Sequence, residues 1–418
     1  MIPLAVLSAL REEIRSLPRA YWLLFAGTLI NKIGGFVIPL LALYLTGERR
    51  LSDAVAGLVV SSWGAGTFAA GLVGGVLADR LGRRRTILIS LFGGAVAMLA
   101  LGFARDVAFI LPCALALGFL GEMYRPAVAA MIADVVPVAQ RQRAYAHLYW
   151  AINLGFALAP TLAGLAAHLS YTLLFVIDSA TTAAFGALVL VALPESRPAE
   201  PVPAPAADAR ATGLGAVFSD ATFMSLAALT FLFAVVMWQS GVALPLDMKA
   251  KGLGAATYGA LISLNGIMIV FIQPPVARTI GRLDRTRVLI GASMFFGAGF
   301  GLHAFVSTPA GYALAISVWT LGEIAFIPAA QALVADLAPA SLRGRYQGVN
   351  GMAWGLASTL GPALGGGVLG RLGGAWLWGG CATACALAAA GHALSGPGRE
   401  REVNRRRSVP AASVAASP

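Results

Sequence analysis

Twelve stretches of this chain are long and apolar enough to cross a bilayer, and that pattern excludes most folds at once. They fall at roughly 20–45, 54–78, 86–104, 107–133, 144–167, 171–193, 221–246, 256–279, 288–306, 310–335, 346–370 and 374–395. A membrane helix needs about 20 mainly apolar residues, whereas a transmembrane β-barrel shows segments of about 10 with alternating polarity. Unbroken runs of Ala, Gly and Leu favour helices. With 58% of residues hydrophobic and 12% charged, a soluble chain of 418 residues could not keep its apolar surface from water. The 49 glycines fit the same reading, because small residues let membrane helices approach closely.

The formal net charge of +11 is topological. With both termini placed in the cytoplasm, 22 of the 30 basic residues fall in cytoplasmic segments, among them Arg80, Arg83, Arg84, Arg85, Arg141, Arg143, Arg285, Arg287, Arg343 and Arg345. That excess orients a multi-pass protein in the cytoplasmic (inner) membrane and gives no reason to expect nucleic acid. Met1–Arg19 is charged and mixed, so no cleavable leader is expected. Cys113, Cys381 and Cys385 lie in apolar runs without pairing or metal spacing, and His147, His168, His303 and His392 show no ligand spacing.

The chain repeats itself. Residues 126–164 align without a gap on 328–366 at an offset of 202, with Pro126/Pro328, Asp134/Asp336, Pro137/Pro339, Arg141/Arg343, Arg143/Arg345, Pro160/Pro362 and Gly164/Gly366 in register. The same offset matches Gly57 with Gly259, Ser61 with Ser263, Gly64 with Gly266 and Arg85 with Arg287. A parallel repeat of six helices predicts two bundles about an axis along the membrane normal, with the substrate site near mid-depth. The expected organisation is a six-helix bundle over 1–193, a Pro/Ala-rich cytoplasmic linker over 194–218, a second bundle over 219–395 and a disordered tail over 396–418.

At the end of the second run stands Gly75-Val76-Leu77-Ala78-Asp79-Arg80-Leu81-Gly82-Arg83-Arg84-Arg85. It closely resembles the G-x-L-a-D-R-x-G-R-[KR]-[KR] loop of the major facilitator superfamily, and the chain fits that family's 6+6 plan. Physically, the glycines allow close packing and a sharp turn. Asp79 is expected at a helix N-terminus, and Arg83 is expected to reach Asp134. A weaker copy, Gly281–Arg287, carries glycine where Asp79 would align, so the gate latch is expected to be stronger in one half. Gly155 to Gly164 around Pro160, and Gly361-Pro362-Ala363-Leu364-Gly365-Gly366, look like the exporters' antiporter motif; proline among small residues kinks a helix so that another can pack on the bend. Gln239, Leu244-Pro245-Leu246, Asn265 and Gln273-Pro274, with Gly35 to Pro39 and Tyr44, further resemble the twelve-helix drug:proton antiporter branch. That branch usually places an arginine where Leu115 stands ahead of Gly118; here the arginine is Arg125, so the usual coupling arginine is not carried over.

Five ionisable residues interrupt the apolar runs: Lys32, Glu122, Arg125, Asp178 and Glu323. Such residues are costly in a bilayer and read as functional. Glu122 and Arg125 are spaced to pair on one helix face, Asp178 is placed nearer the outer end, and Glu323 has no basic neighbour on its own helix. Glu323 or Glu122 is expected to take up the coupling proton, with Lys32 and Arg125 tuning it. Asn31, Tyr124, Tyr149, Trp150, Asn153, Trp238, Gln239, Asn265, Gln273 and Trp354 are the candidate walls of an amphipathic cavity. No H-E-x-x-H, G-x-S-x-G or Walker sequence is present, so neither an enzyme nor an ATP-driven pump is expected. The expectation is a monomeric, cofactor-free transporter that uses the proton gradient to export small drug-like molecules by alternating access. A proton-coupled importer or a dedicated metabolite exporter is the alternative.

Overall fold

The computed structural model describes residues 17–196, 214–280, 283–339 and 342–408, and within them the protein is all helical. Ten helices are long and apolar enough to span a membrane by length and composition. Arg285–Leu302 and Arg343–Leu372 stand at the ninth and eleventh predicted runs, where arginines in the first turn and frequent glycines make the helix less apolar. Together they account for the twelve spans in the predicted order.

Short polar residues start several of these helices by accepting a first-turn N–H. Ser52 receives Val55 N, Asp106 receives Ala108 N, Ser170 receives Thr172 N, Asp220 receives Phe223 N and Thr308 receives Gly311 N.

Three runs that read as continuous are broken. The first span is two helices, Arg19–Ile33 and Val37–Gly47, interrupted at Gly34–Phe36. The fourth is Val107–Glu122 and Tyr124–Val135, and the seventh is Ala221–Met237 and Ala243–Ala250 with a single 3₁₀ turn between them. The twelfth departs in the other direction. It runs from Gly374 to Ser408, so residues 396–408 are helical where a disordered tail was expected. The remaining tail, and 197–213 of the linker, lie outside the described residues; Leu214–Phe218 is a short helix.

The chain forms two compact units that cut across the sequence repeat. One comprises 1–202 with 241–270 and 362–371; the other comprises 203–240, 271–361 and 372–418. Ends of the seventh, eighth and eleventh spans therefore belong with the first unit. The first unit's core gathers Tyr21, Leu24, Tyr124, Met131, Phe185 and Val189. In the second, Phe233 stacks on Phe296 and Phe326 at 3.9 and 3.8 Å, and His303 stacks on Tyr312.

Candidate functional site

The break in the first span organises the buried charges of the first unit. Lys32 lies in the last turn of Arg19–Ile33, a position where the helix dipole favours a cation. Its ammonium sits 5.7 Å from the centre of the Tyr124 ring. Beside it, Asn31 Nδ2 donates to Thr182 Oγ1 at 2.8 Å, and its Oδ1 accepts from Tyr124 OH at 3.3 Å. Glu122 and Arg125 form the expected ion pair across the break in the fourth span. The Glu122 side chain is largely buried, whereas that of Arg125 is 53% exposed. Asp178 is 4% exposed, and its Oδ2 accepts from Val37 N at 3.1 Å, at the start of the second half-helix. Lys32, Glu122, Arg125, Asp178, Asn31 and Tyr124 thus form one neighbourhood. Gly155 belongs to it too, since a Cβ there would collide with Lys32.

The other candidates are dispersed. Tyr149 and Trp150 are about half exposed, and Asn153 donates to Tyr149 O at 2.8 Å, within its own helix. Asn265 is also in the first unit and half-buried. Trp238, Gln239, Gln273, Glu323 and Trp354 belong to the second unit. There Glu323 is 4% exposed and Gln273 half-buried. Gln239 Nε2 donates to Val235 O at 2.8 Å and Gly361 O at 3.0 Å, and Trp354 meets Phe233 edge-on. Gly361 packs against Trp238 Cβ. Gln239 is thus tied to backbone through its Nε2.

The loop after the second span closes around Arg83. Arg83 is 8% exposed; its Nε meets Asp134 Oδ2 at 3.0 Å, as expected, and its Nη1 meets Asp79 Oδ1 and Ala78 O, each at 3.0 Å. Asp79 is not at a helix N-terminus. It sits in the last turn of Asp53–Leu81 with its side chain 72% exposed, where Arg83 offsets an unfavourable dipole. The N-terminal carboxylate is instead Glu195, from the beginning of the predicted linker, which accepts from Arg84 N at 3.1 Å. Gly82 makes room for it: φ is +101°, and a Cβ would lie 2.6 Å from the Glu195 carboxylate. Ser196 adds a hydrogen bond to Asp134 at 3.1 Å, and Arg84 Nη2 reaches Leu190 O at 2.6 Å. Arg80 is exposed, and Gly75 faces open space rather than a packed helix. In the second unit Arg285 pairs with Asp336, the offset copy of Arg83 with Asp134.

At the opposite end of the second span, two seams repeat each other. Gly57 and Gly366 pack against the backbone of each other's helices, with Pro362 O against Gly57, while Gly259 packs on Pro160 O and Gly164 on Ala255 and Ala256. Ser61 Oγ accepts from Ala363 N at 2.9 Å, and Ser263 Oγ accepts from Thr161 N at 3.2 Å. Each serine receives the N–H that follows the proline inside the partner helix, and the small residues beside that proline are where the other helix packs. Both seams lie within the first unit.

Glu195, Ser196, Ser61, Ser263 and Thr182 carry contacts that sequence reasoning did not assign to the site. The Ser61/Ser263 match at the repeat offset was the one available signal.

The sequence pattern of the Major Facilitator Superfamily matches residues 23–246 and 226–417. The chain is 24% identical to a "Na(+), Li(+), K(+)/H(+) antiporter" of Planococcus maritimus, covering 78% of this chain and 84% of that protein. It is 25% identical to the "Multidrug resistance protein MdtH" of Aeromonas hydrophila, covering 85% and 86%. The crystal structure of a mutant of the nucleoside transporter NupG superposes with a TM-score of 0.78 at 16% identity, over 90% of this chain and all of that one.

Proposed function

Because the chain belongs to the major facilitator superfamily and is a secondary transporter rather than an enzyme, we propose that it exports small amphipathic or drug-like molecules across the cytoplasmic membrane in exchange for protons. Both termini lie on the cytoplasmic side, and the chain works as a monomer by alternating access. The observation that carries this reading is the cluster of Lys32, Glu122, Arg125 and Asp178 within the spans of one unit. A mixed set of acids and bases within the spans can change its proton occupancy as the transporter changes its access. Glu122 or the buried Glu323 takes the coupling proton, and Lys32 and Arg125 set its affinity. Likeness to a multidrug resistance protein supports the drug-like substrate.

Gradient-driven efflux of ethidium from proteoliposomes tests the reading. Glu122→Gln and Glu323→Gln are expected to lower gradient-driven flux while leaving downhill exchange. If both keep full gradient-driven flux, the proton assignment fails. A second reading, exchange of a monovalent cation for protons, is supported by likeness to the Planococcus protein. It requires proton release on addition of Na⁺ or K⁺ alone, without any organic substrate.

A further inference from the structure

Three residues on one face of the sixth span, Tyr171–Ala192, engage the break in the first span. Asp178 Oδ2 receives Val37 N–H at 3.1 Å, Thr182 Oγ1 receives Asn31 Nδ2 at 2.8 Å, and Thr181 sits where a Cβ on Gly34 would have to go. Positions i, i+3 and i+4 share a helix face, so this is a continuous docking strip. It fits a first span only while that span is broken at Gly34–Phe36. The break creates a half-helix whose N-terminal N–H groups have no intrahelical partner inside the spanning region, and Asp178 supplies both the acceptor and the compensating charge. Lys32, in the last turn of the preceding half-helix, places a charge of opposite sign at that helix end.

The second copy of the repeat sharpens the point. The seventh span is also broken, after Met237, but the position equivalent to Asp178 is Gly380, which faces open space. The second half-helix there begins at Val242 without a side-chain cap. At the position equivalent to Asp178, the second copy therefore offers no carboxylate to its broken span.

We propose that Asp178 is a proton-sensitive latch: ionised, it caps Val37–Gly47 and keeps Asn31 and Lys32 in their bonded positions, and protonated it releases the Gly34–Phe36 hinge. This deepens the proton-coupled reading above and rests on it for its physiological meaning. The charged groups facing Asp178 are Lys32 from the first span and Glu122 from the fourth, the latter paired with Arg125. The third span meets this stretch of the sixth through Ala95, whose carbonyl accepts from Ser179 at 3.0 Å. The basic residues of the fifth span, Arg141, Arg143 and His147, lie toward its start. Asp178 is a positioning residue: it acts through the first span's backbone.

Hydrogen–deuterium exchange of the full-length protein in lipid nanodiscs tests this without any substrate, following the 34–40 segment from pH 5.5 to 8.5 after correction for intrinsic rates. The wild type is expected to be protected at high pH and to exchange faster as pH falls. Asp178→Ala is expected to exchange about tenfold faster at high pH, the loss of one bond to a charged acceptor. Asp178→Asn keeps an acceptor of the same shape and is expected to show intermediate, pH-independent protection; it carries the test if the alanine variant does not fold. The proposal is overturned if Asp178→Ala exchanges like wild type, if wild-type exchange is flat with pH, or if Asp178→Asn retains the wild-type pH response. Ethidium flux of Glu122→Gln, measured alongside, reports on the export reading separately.

Discussion

The third span starts at Gly82 and the ninth at Asp284, positions related by the repeat offset, yet their first turns are held by carboxylates from different places. Asp284 caps its own helix, its Oδ1 accepting from Arg287 N at 2.8 Å. In the first copy that residue is a glycine in the left-handed region, and the carboxylate comes from Glu195, 111 residues beyond the Arg84 it serves. The same electrostatic need is met locally in one half and by a long-range contact in the other. The long-range solution ties the end of the sixth span to the Arg83–Asp134 pair through Ser196, so the loop is welded into a network that the described residues of the second half do not repeat. A similar exchange occurs nearby. Tyr21 donates to Ala144 O at 3.0 Å in the first copy, while at the offset of Ala144 the second copy has Tyr346, which donates to Asp220 at 2.7 Å.

The contrast can be broken most severely at the arginines. Arg83→Ala removes a buried guanidinium from two carboxylates and is expected to cost about 3 kcal/mol, whereas Arg285→Ala, at a more exposed pair, should cost below about 1 kcal/mol. Thermal unfolding midpoints of the two variants in detergent compare them directly; equal losses would mean the halves are latched alike. Next comes Gly82→Ala, which imposes a strained φ and meets the Glu195 carboxylate; about 2 kcal/mol is expected. Adding Glu195→Ala should recover part of that loss, leaving the backbone strain, and a strictly additive double mutant would contradict the crowding seen at Gly82. Alone, Glu195→Ala and Asp284→Ala should each cost about 1 kcal/mol, the loss of one cap, but only Glu195→Ala should speed amide exchange at both the third span's first turn and the end of the sixth.

The smallest effect is in acid. Burial works against ionisation of Asp220, but bonds from Tyr346, Arg406 and Phe223 N–H hold its carboxyl below the usual carboxylate range. A depressed folded value means the stabilisation is complete at neutral pH and lost as pH falls below about 4. Arg406→Gln should therefore lower the midpoint at pH 7 more than at pH 3. An equal drop at both values would show that Arg406 does not act through Asp220.

Much of the fold was legible because its signals are local or periodic. Apolar runs gave the spans, prolines and charges in register gave the repeat, and the loop over Gly75–Arg85 gave the Arg83–Asp134 pair. What escaped depends on contacts between residues far apart in sequence. Glu195 reads as the first acid of a proline-rich linker, and its capping role exists only once the sixth span returns it to Gly82. The cue was present in outline: among the described residues, the helix starts capped by their own N-cap side chain have Ser, Thr or Asp in place, and Gly82 offers none. Asp178 had no named partner because the first run was read as one straight helix, and only its break leaves Val37 N–H free for that carboxylate. The twelfth span was cut short at Ser395 because basic, polar residues look disordered; in the folded chain Arg406 reaches Asp220 at 2.8 Å, which gives that extension something to dock on.

The two seams have a bearing on ionic conditions. Ser61 and Ser263 join helices through neutral hydroxyls and backbone amides, whereas Arg83 and Arg285 act through full charges just past the far ends of the same spans. Mobile ions screen charges over roughly 10 Å at 0.1 M salt but leave a hydroxyl–amide bond almost untouched. Raising ionic strength should thus loosen the more exposed Arg285–Asp336 end first, since the buried Arg83 is screened much less, making salt concentration a handle on which half opens first.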